Sequence, residues 1–382
     1  LPVLVQCPSS IFVFCMVVTR PSLPSASAEP SCVDALANAT STWRHAALRE
    51  SIVSGVGTPT VETRVLVLNT IDRHYTHLIQ PWAEMVASAN FAKRIFVVAM
   101  DAAAAEASRA ASIAHFAPPS EPLSESCTKH ANRHSSFRTS LKTTTHQPRG
   151  GESASSSSAS PTPVPGSYRR IKIQGKEADT RILPPDLPSW KFHSVRSGLS
   201  LGWRVLFSET DVLWMPSPAL FADLLTSSED YAPQRHPMTP VYNFGFFFAQ
   251  GARAESFFGC LVHEWERRTL RARTTGAAVE IASDQRFLYD TAIRKRNSPS
   301  CGPLSVRKLS FSRYPTCRAW IGGKAESMHL VHLTYCHRLS MLLSSEDVCK
   351  KRLVERYYLE AARGGVSAKN LTSKAWNVKQ GC

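Results

Sequence analysis

The sequence predicts an α/β fold with a central, mostly parallel sheet, and three apolar runs carry that prediction. Residues 64–69 read RVLVLN, residues 94–101 read RIFVVAMD and residues 203–207 read WRVLF. Runs rich in β-branched and other apolar residues are typical of strands that are covered on both faces, as in parallel sheets. The chain has 382 residues, of which 43% are hydrophobic, enough for one large domain with appendages.

A helix is predicted between the first two strands. Five apolar residues lie there at helical spacing: Leu78, Ile79, Trp82, Met85 and Val86. Pro81 starts or kinks this helix. Strand, helix and strand form a right-handed unit with parallel strands, and open sheets of this kind bind nucleotides at the carboxyl ends of their strands. Asn69, Thr70 and Asp101 lie at those ends and are candidate nucleotide contacts.

The third strand ends in Ser208-Glu209-Thr210-Asp211. Two carboxylates one residue apart lie on the same side of an extended backbone. Their oxygens suit a hard divalent cation such as Mn²⁺ or Mg²⁺ that also holds a diphosphate. An acidic turn between two strands is the alternative, and it is the favoured interpretation of such a tripeptide in isolation.

A helix is also predicted directly before this strand. Phe192, Val195 and Leu199 lie at helical spacing, and Gly202 supplies a stop. Lys191 on this helix is a candidate phosphate contact, with a solvated helix face as the alternative. The predicted order is therefore helix, glycine, strand and acidic turn.

Three further blocks follow in the sequence. Residues 241–248 read VYNFGFFF, residues 283–288 read SDQRFL and residues 329–334 read HLVHLT. Taken in order with the helix and the acidic turn, these blocks resemble the nucleotide-diphospho-sugar transferase domain of glycosyltransferase family 77. The resemblance covers roughly residues 61–102 and 182–340. In one departure, the first acid of the family's D-x-D motif is Glu209 here.

The resemblance implies a GT-A-like (Rossmann-like) nucleotide-sugar transferase fold. It also implies a metal-dependent enzyme that moves a sugar from a UDP-sugar to a hydroxyl of a glycan or glycoprotein, with retention of anomeric configuration. The implied cofactor is Mn²⁺ or Mg²⁺. The alternative is a catalytically inactive relative that binds nucleotide or sugar, with Glu209 as a sign of lost activity.

Site residues are implied by the same blocks. Asp211 is the first metal ligand, and His332 completes the metal shell, although a buried core histidine is an equal alternative. Glu209 is placed at the ribose or at a metal-bound water. His329 is a weaker candidate ligand. Arg338 is a substitute for the lysine that family members carry after this histidine.

The donor sugar and the reacting centre are assigned to two other blocks. Asn243 and Gly245 line the donor-sugar pocket, because a polar group inside an aromatic strand needs a partner or a ligand. Asp284 and Gln285 contact the sugar hydroxyls and the reacting centre, and with Asn243 they are the candidate catalytic residues. A strand-end asparagine and helix capping are the alternatives.

The domain organisation is predicted in three parts. Residues 1–28 contain an apolar run of signal-peptide length and are either a cleaved signal peptide or a truncated signal anchor. Residues 29–60 are a stem, and residues 61–382 are the transferase domain, with a disordered low-complexity insertion at about 102–166. A final helix is predicted from Ser345. We expect a secretory protein, most simply of the Golgi lumen, with possible disulfides and with glycosylation sequons at Asn38 and Asn370.

Several other classes are disfavoured. No G-x-G-x-x-G follows the first strand and no P-loop motif occurs in the chain, which argues against dehydrogenases and P-loop enzymes. Residues 263–266 read HEWE and lack the second histidine of a zinc protease. The 10 cysteines include no C-x-x-C pair. The formal charge of +15 is not accompanied by a nucleic-acid recognition module, so no nucleic-acid partner is expected.

Overall fold

A six-stranded sheet forms the centre of the computed structural model of this chain. The structure describes residues 32–60, 64–118, 171–173, 176–178, 186–215, 219–235, 242–275, 284–288, 301–317, 328–333, 353–357 and 360. In sheet order the six strands are β3 (Ala114–Phe116), β2 (Ile95–Ala99), β1 (Val65–Ile71), β6 (Arg204–Ser208), β9 (Tyr242–Ala249) and β8 (Tyr231–Arg235). Two short pairs stand apart, β4 (Ile171–Ile173) with β5 (Lys176–Ala178) and β7 (Val212–Trp214) with β10 (Leu330–His332).

The sheet is mostly parallel, as predicted. β1 is parallel to β2 and to β6, with Asn69 beside Val97 and Val67 beside Leu206. β3 is parallel to β2, whereas β9 runs antiparallel to both β6 and β8. The predicted α/β class with a central, mostly parallel sheet is therefore confirmed.

Helices cover both faces of the sheet. They are α1 (Cys32–Val56), α2 (Ile79–Val86), α3 (Ala102–Ala110), α4 (Asp186–Ser200), α5 (Ala219–Leu225), α6 (Gly251–Thr275) and α7 (Asp284–Leu288). Alternate residues of β1 point to opposite faces. Val67 belongs to one core together with Trp82 of α2, and Leu68 belongs to the core on the other face together with Phe192 of α4. The predicted stop after α4 is confirmed at Gly202, whose φ of +85° is a left-handed conformation that glycine adopts without strain.

The prediction of a stem over residues 29–60 is wrong, because most of this segment is helix α1 packed on the domain. Its buried residues recur at intervals of three or four: Ala37, Ser41, Arg44, Leu48 and Ile52. This is the spacing of a helix with one face against a core. Two of the five side chains are polar, so the face lacks the apolar stripe by which a sequence reveals such a helix.

The predicted start of the low-complexity insertion is also wrong. Residues 102–110 form α3 and residues 114–116 form the edge strand β3. Alanine is the best helix former, and the Asp101 side chain caps α3 by accepting the Ala104 N–H at 2.9 Å. Residues 119–166, like residues 1–28, lie outside the described part of the chain.

A disulfide and a C-terminal helix connect distant segments in the second half of the chain. A disulfide joins Cys260 of α6 to Cys301. The predicted final helix is observed over residues 353–357, where Leu353, Val354 and Tyr357 are buried and the Tyr357 hydroxyl donates to the Trp214 carbonyl. Across the described ranges, no helix combines the length and apolar character needed to cross a bilayer.

Candidate metal and nucleotide-sugar site

Three ligand-type side chains converge just beyond the carboxyl end of β6. Glu209 and Asp211 follow the strand directly, and β10 pairs antiparallel with β7 so that His332 lies opposite Val212. One ligand atom from each of Glu209, Asp211 and His332 lies within 4.8 Å of the others. His332 Nε2 is 3.3 Å from Asp211 Oδ1 and 3.5 Å from Glu209 Oε2. The fold thus unites a carboxylate pair with a histidine more than a hundred residues away in sequence.

The electrostatics of this triad are dominated by its carboxylates. Burial lowers the pKa of His332, but Asp211 and then Glu209 outweigh it and raise that pKa to about 9. The same two carboxylates would attract a divalent cation, which would then compete with the histidine proton. Asp211 and His332 are buried, whereas the side chain of Glu209 is 39% exposed and can be reached from solvent.

Gly245 on β9 leaves the space beside the triad open. A Cβ added at this glycine would lie 2.8 Å from His332 Nε2 and closer still to Glu209 Oε2. Any larger residue would therefore displace two of the three candidate ligands. The Gly245 carbonyl also accepts the Glu209 N–H at 2.8 Å, which fixes the backbone of the acidic turn. The cradle and its oxygen and nitrogen donors fit a divalent cation.

Ser208, the last residue of β6, anchors the acidic turn that contains Glu209 and Asp211. Its hydroxyl oxygen accepts the indole N–H groups of Trp82 at 3.2 Å and Trp214 at 3.0 Å. Both rings are buried, so the end of β6 is held between α2 and β7. This rigid support keeps Glu209 and Asp211 in place.

Lys191 of α4 links the triad to Asp284. Its ammonium nitrogen is 2.9 Å from Glu209 Oε1 and 3.0 Å from Asp284 Oδ2. It also lies 4.6 Å and 4.4 Å from the ring centroids of Phe207 and Phe244. Burial lowers the pKa of Lys191, but Asp284 and then Glu209 raise it by more, so the side chain stays charged. Lys191 is only 1% exposed, which rules out the alternative of a solvated helix face.

Three of the predicted nucleotide and sugar contacts carry unsatisfied polar atoms. The Asn243 side-chain oxygen accepts the Gly245 N–H at 2.8 Å. Among the described residues, no hydrogen-bond partner faces Asn243 Nδ2, Asn69 Nδ2 or Thr70 Oγ1, although all three atoms are buried. Buried polar atoms of this kind are normally paired with protein, water or ligand, so these atoms are candidate ligand contacts.

The other predicted contacts have different surroundings. Both carboxylate oxygens of Asp101 accept backbone N–H groups, from Arg73 at 2.8 Å and from Ala104, so this side chain has a capping role. Asp284 begins α7 and accepts the Gln285 N–H at 2.8 Å, while Gln285 itself is half-buried. Arg338 lies outside the described residues. A direct role of these side chains in donor binding stays a prediction.

The family comparison agrees with this geometry. Residues 188–341 match the family model for nucleotide-diphospho-sugar transferases. The match spans less than half of the chain, and it makes this segment similar to that family. The matched range contains the triad, Lys191, Asn243 and Asp284, and the family name denotes the glycosyltransferase class predicted from the sequence. Membership of family 77 in particular stays a prediction.

Other comparisons add less. Two solved structures that resemble the chain are the apo form and a second crystal structure of the glycosyltransferase GlyE from Streptococcus pneumoniae TIGR4. Their TM-scores are 0.38 and 0.37, at 11% and 10% identity, and both alignments cover 83% of this chain. The alignments span 63% and 64% of those two chains. No curated protein sequence matches significantly.

One residue of the matched segment that sequence reasoning missed is Gln234 on β8. It is fully buried, and its side-chain oxygen lies 2.8 Å from Nδ1 of His332. The only local signal is Pro233 directly before it, since a proline inside a strand marks an edge or a bulge. No motif connects Gln234 with a histidine 98 residues later.

Proposed function

We propose that this protein is a divalent-cation-dependent glycosyltransferase. It moves a sugar from a UDP-sugar to a hydroxyl of a glycan or glycoprotein, with retention of anomeric configuration. The observation that carries the proposal is the convergence of Glu209, Asp211 and His332 at the carboxyl end of β6. Ligands of open α/β sheets bind at this edge.

The donor set fits the cation. Asp211 would hold it through a carboxylate oxygen and His332 through Nε2, while Glu209, which is shared with Lys191, would act directly or through water. Two carboxylates suit Mn²⁺ and Mg²⁺ alike, and the imidazole favours Mn²⁺. When bound, the cation supplies Lewis-acid stabilisation of the negative charge that grows on the departing diphosphate.

The surrounding side chains have separate tasks in the proposed reaction. Lys191 holds Glu209 and Asp284 in fixed positions through two short ion pairs. Asp284 and Gln285 are proposed to contact the sugar hydroxyls and the reacting centre. The amide nitrogens of Asn69 and Asn243 have no hydrogen-bond partner among the described residues, so they are suited to donate to ribose or sugar oxygens. The burial of Lys191, Asp211 and Asn243 limits the access of water to this side of the site.

A lumenal compartment, in the Golgi, is proposed for the protein, with an N-terminal signal or anchor and possible glycan on Asn38. The disulfide between Cys260 and Cys301 supports an oxidising environment. Asn38 is exposed on α1, where an oligosaccharyltransferase could reach it before folding is complete. The disulfide and the exposure of Asn38 support this compartment whether or not the triad binds a metal.

The test is donor turnover by the purified protein. UDP-sugars of several kinds, with GDP-sugars as controls, are incubated with the full chain in Mn²⁺, in Mg²⁺ and in EDTA, and release of nucleoside diphosphate is measured. We expect cleavage of one UDP-sugar in Mn²⁺, its loss in EDTA and its return on addition of Mn²⁺. Full turnover in EDTA would reject the metal role.

The same experiment separates the enzyme from the inactive relative. An inactive relative would bind UDP, as measured by calorimetry, yet release no UDP from any UDP-sugar in the panel. The pairing of Glu209 with Lys191 is the observation that keeps this alternative open, because Lys191 already neutralises one candidate ligand.

A further inference from the structure

Within the part of the chain that the structure describes, Gln234 contacts the candidate metal site through His332. It lies at an irregularity of the sheet, where Pro233 pairs with Phe247 but the next residue, Gln234, pairs with Asn243. Bulges of this kind re-aim a side chain and are frequent beside functional sites. The Gln234 side chain is turned inward, where it contacts His332 and the backbone of Tyr314 and Pro315.

The surroundings fix which way the Gln234 amide points. The Nε2 atom lies 3.0 Å from the Tyr314 carbonyl and 3.1 Å from the Pro315 carbonyl. Carbonyl oxygens only accept hydrogen bonds, so the NH₂ group must face them. The remaining atom, Oε1, must then face His332, and the flipped amide would set an oxygen against two carbonyls.

The amide orientation in turn fixes the hydrogen on His332. Oε1 only accepts, and it lies 2.8 Å from Nδ1 of the ring. Nδ1 therefore carries a hydrogen and donates it to Gln234. In a neutral ring the other nitrogen, Nε2, then carries the lone pair, and this is the atom that faces Asp211 and Glu209.

The backbone reinforces this arrangement. The Pro315 carbonyl accepts both the Gln234 side-chain N–H and the backbone N–H of His332, the latter at 3.0 Å. Gln234 and His332 are thus tied to one carbonyl, so the ring and its partner cannot shift independently. An amide also orients the ring without adding a third carboxylate to a site that already has two.

We propose that Gln234 is a positioning residue that holds His332 with its hydrogen on Nδ1 and so presents Nε2 to the divalent cation. The inference rests on the proposed function, since it requires a cation at the triad. Partners of this kind, which contact a metal-binding histidine from behind, typically contribute ten- to a hundredfold in metal affinity.

The affinity test uses Gln234→Met, which keeps the length of the side chain and removes the amide. Mn²⁺ alone is titrated into the full-length protein and free Mn²⁺ is followed by electron paramagnetic resonance. We expect the variant to bind Mn²⁺ at least about tenfold more weakly than wild type. Circular dichroism and thermal melting establish that the variant is folded.

Gln250→Met is the matched control. Gln250 also donates to two backbone carbonyls, of Ser227 at 2.7 Å and Glu229 at 3.0 Å, but it contacts no ligand of the triad. Its Mn²⁺ affinity should equal that of wild type. In a His332→Ala background, Gln234→Met should cause no further loss, because Gln234 acts only through the ring. An equal loss with and without His332 would overturn the proposal.

A spectroscopic test on the wild-type chain needs no variant to fold. With ¹⁵N-labelled histidine and ¹¹³Cd²⁺ as a diamagnetic probe, His332 should show a bonded hydrogen on Nδ1 and cadmium coupling at Nε2. A hydrogen on Nε2, or coupling at Nδ1, would overturn the inference. If wild type binds neither Mn²⁺ nor Cd²⁺, the metal role itself fails. If it binds them and Gln234→Met binds equally well, only the role of Gln234 fails.

Discussion

Two buried charge clusters in this molecule are built from similar side chains but differ in what they can bind. The edge cluster contains Lys191, Glu209, Asp211, Asp284 and His332. The interhelical cluster contains Arg44 of α1, Ser189 and His193 of α4, and Glu266 of α6. Helix α4 contributes to both, with residues 189 and 193 one turn apart on one face and Lys191 on another.

The difference lies in the balance of charge and in the direction of the donors. In the interhelical cluster one carboxylate oxygen, Oε1 of Glu266, accepts from His193 at 2.7 Å, Ser189 at 3.3 Å and Arg44 at 3.4 Å. Cations and donors there outnumber the carboxylate. The edge cluster has three carboxylates to one lysine, and two of them converge with an imidazole beside Gly245. Burial and ion pairing therefore do not identify a ligand site, whereas an excess of converging acceptors does.

The largest effect is expected from Asp211→Asn. Loss of one charged ligand should remove most of the metal contribution of several kcal/mol, so turnover should fall about a thousandfold, or roughly 4 kcal/mol. Steady-state release of UDP at saturating Mn²⁺ gives the turnover, and thermal melting gives the stability. The melting temperature should change little. If the variant is less stable but keeps its specific activity, the edge cluster has a structural role. It would then not differ in function from the interhelical cluster.

The opposite pattern is expected from Glu266→Gln. Arg44, which is only 4% exposed, loses a buried carboxylate partner, and breaking a buried pair costs about 3 kcal/mol of unfolding free energy. Urea denaturation measures this cost, and turnover per folded molecule should stay at the wild-type level. The matched control is Glu264→Gln on the same helix, whose partly exposed pairs with Arg267 and Arg268 contribute less than about 1 kcal/mol. Equal losses of unfolding free energy in Glu266→Gln and Glu264→Gln would contradict the structural role assigned to the interhelical cluster.

The smallest effect is a pH dependence beside the interhelical cluster. Burial, followed by the charge of Arg196, lowers the pKa of His45 from 6.5 to about 4. Because the folded-state pKa is the lower one, the unfolded chain binds more protons between these two values. The contribution of His45 to stability is therefore complete above pH 6.5 and is lost as the pH falls towards about 4.

Urea midpoints measured across this pH range test the direction. The wild-type midpoint should fall more steeply with acidification than that of His45→Gln, which lacks the titrating ring. The difference between the two curves removes the contribution of carboxylates, which titrate in both proteins. Parallel curves would show that His45 keeps an ordinary pKa in the folded protein. Addition of Mn²⁺ should leave the difference between the two curves unchanged, because His45 lies on α1 and is not part of the edge cluster.

Much of the framework could be predicted from the sequence because its signals are local. The strands β1, β2 and β6 are short apolar runs, and α4 shows helical spacing that ends at Gly202. Asp211 and His332 were predicted together from ordered sequence blocks, and β7 and β10 bring them into contact. Helix α1 was missed because Ser41 and Arg44 occupy positions of its buried face, where a pattern of apolar residues was sought.

The sequence could not predict which residues contact the site residues. Lys191 was predicted as a phosphate contact, but its contact with Asp284 joins residues 93 apart, and the contact of Gln234 with His332 joins residues 98 apart. Such pairs leave no periodic pattern, because each depends on how separate elements pack. The bulge at Gln234 illustrates this, since it re-aims one amide without changing the apolar character of the strand.

The sequence by itself determined the class of fold, the order of β1, α2, β2, α4 and β6 along the chain, and the chemical types available at the carboxyl edge. These follow from backbone preferences and from burial of apolar faces, which act over a few residues. Only the tertiary structure decided which polar atoms meet: Lys191 with Asp284, Gln234 with His332, and Glu266 with Arg44. Hydrogen bonds and ion pairs form only within about 3 to 4 Å, so their pattern is set by the packing of distant segments and not by the order of residues.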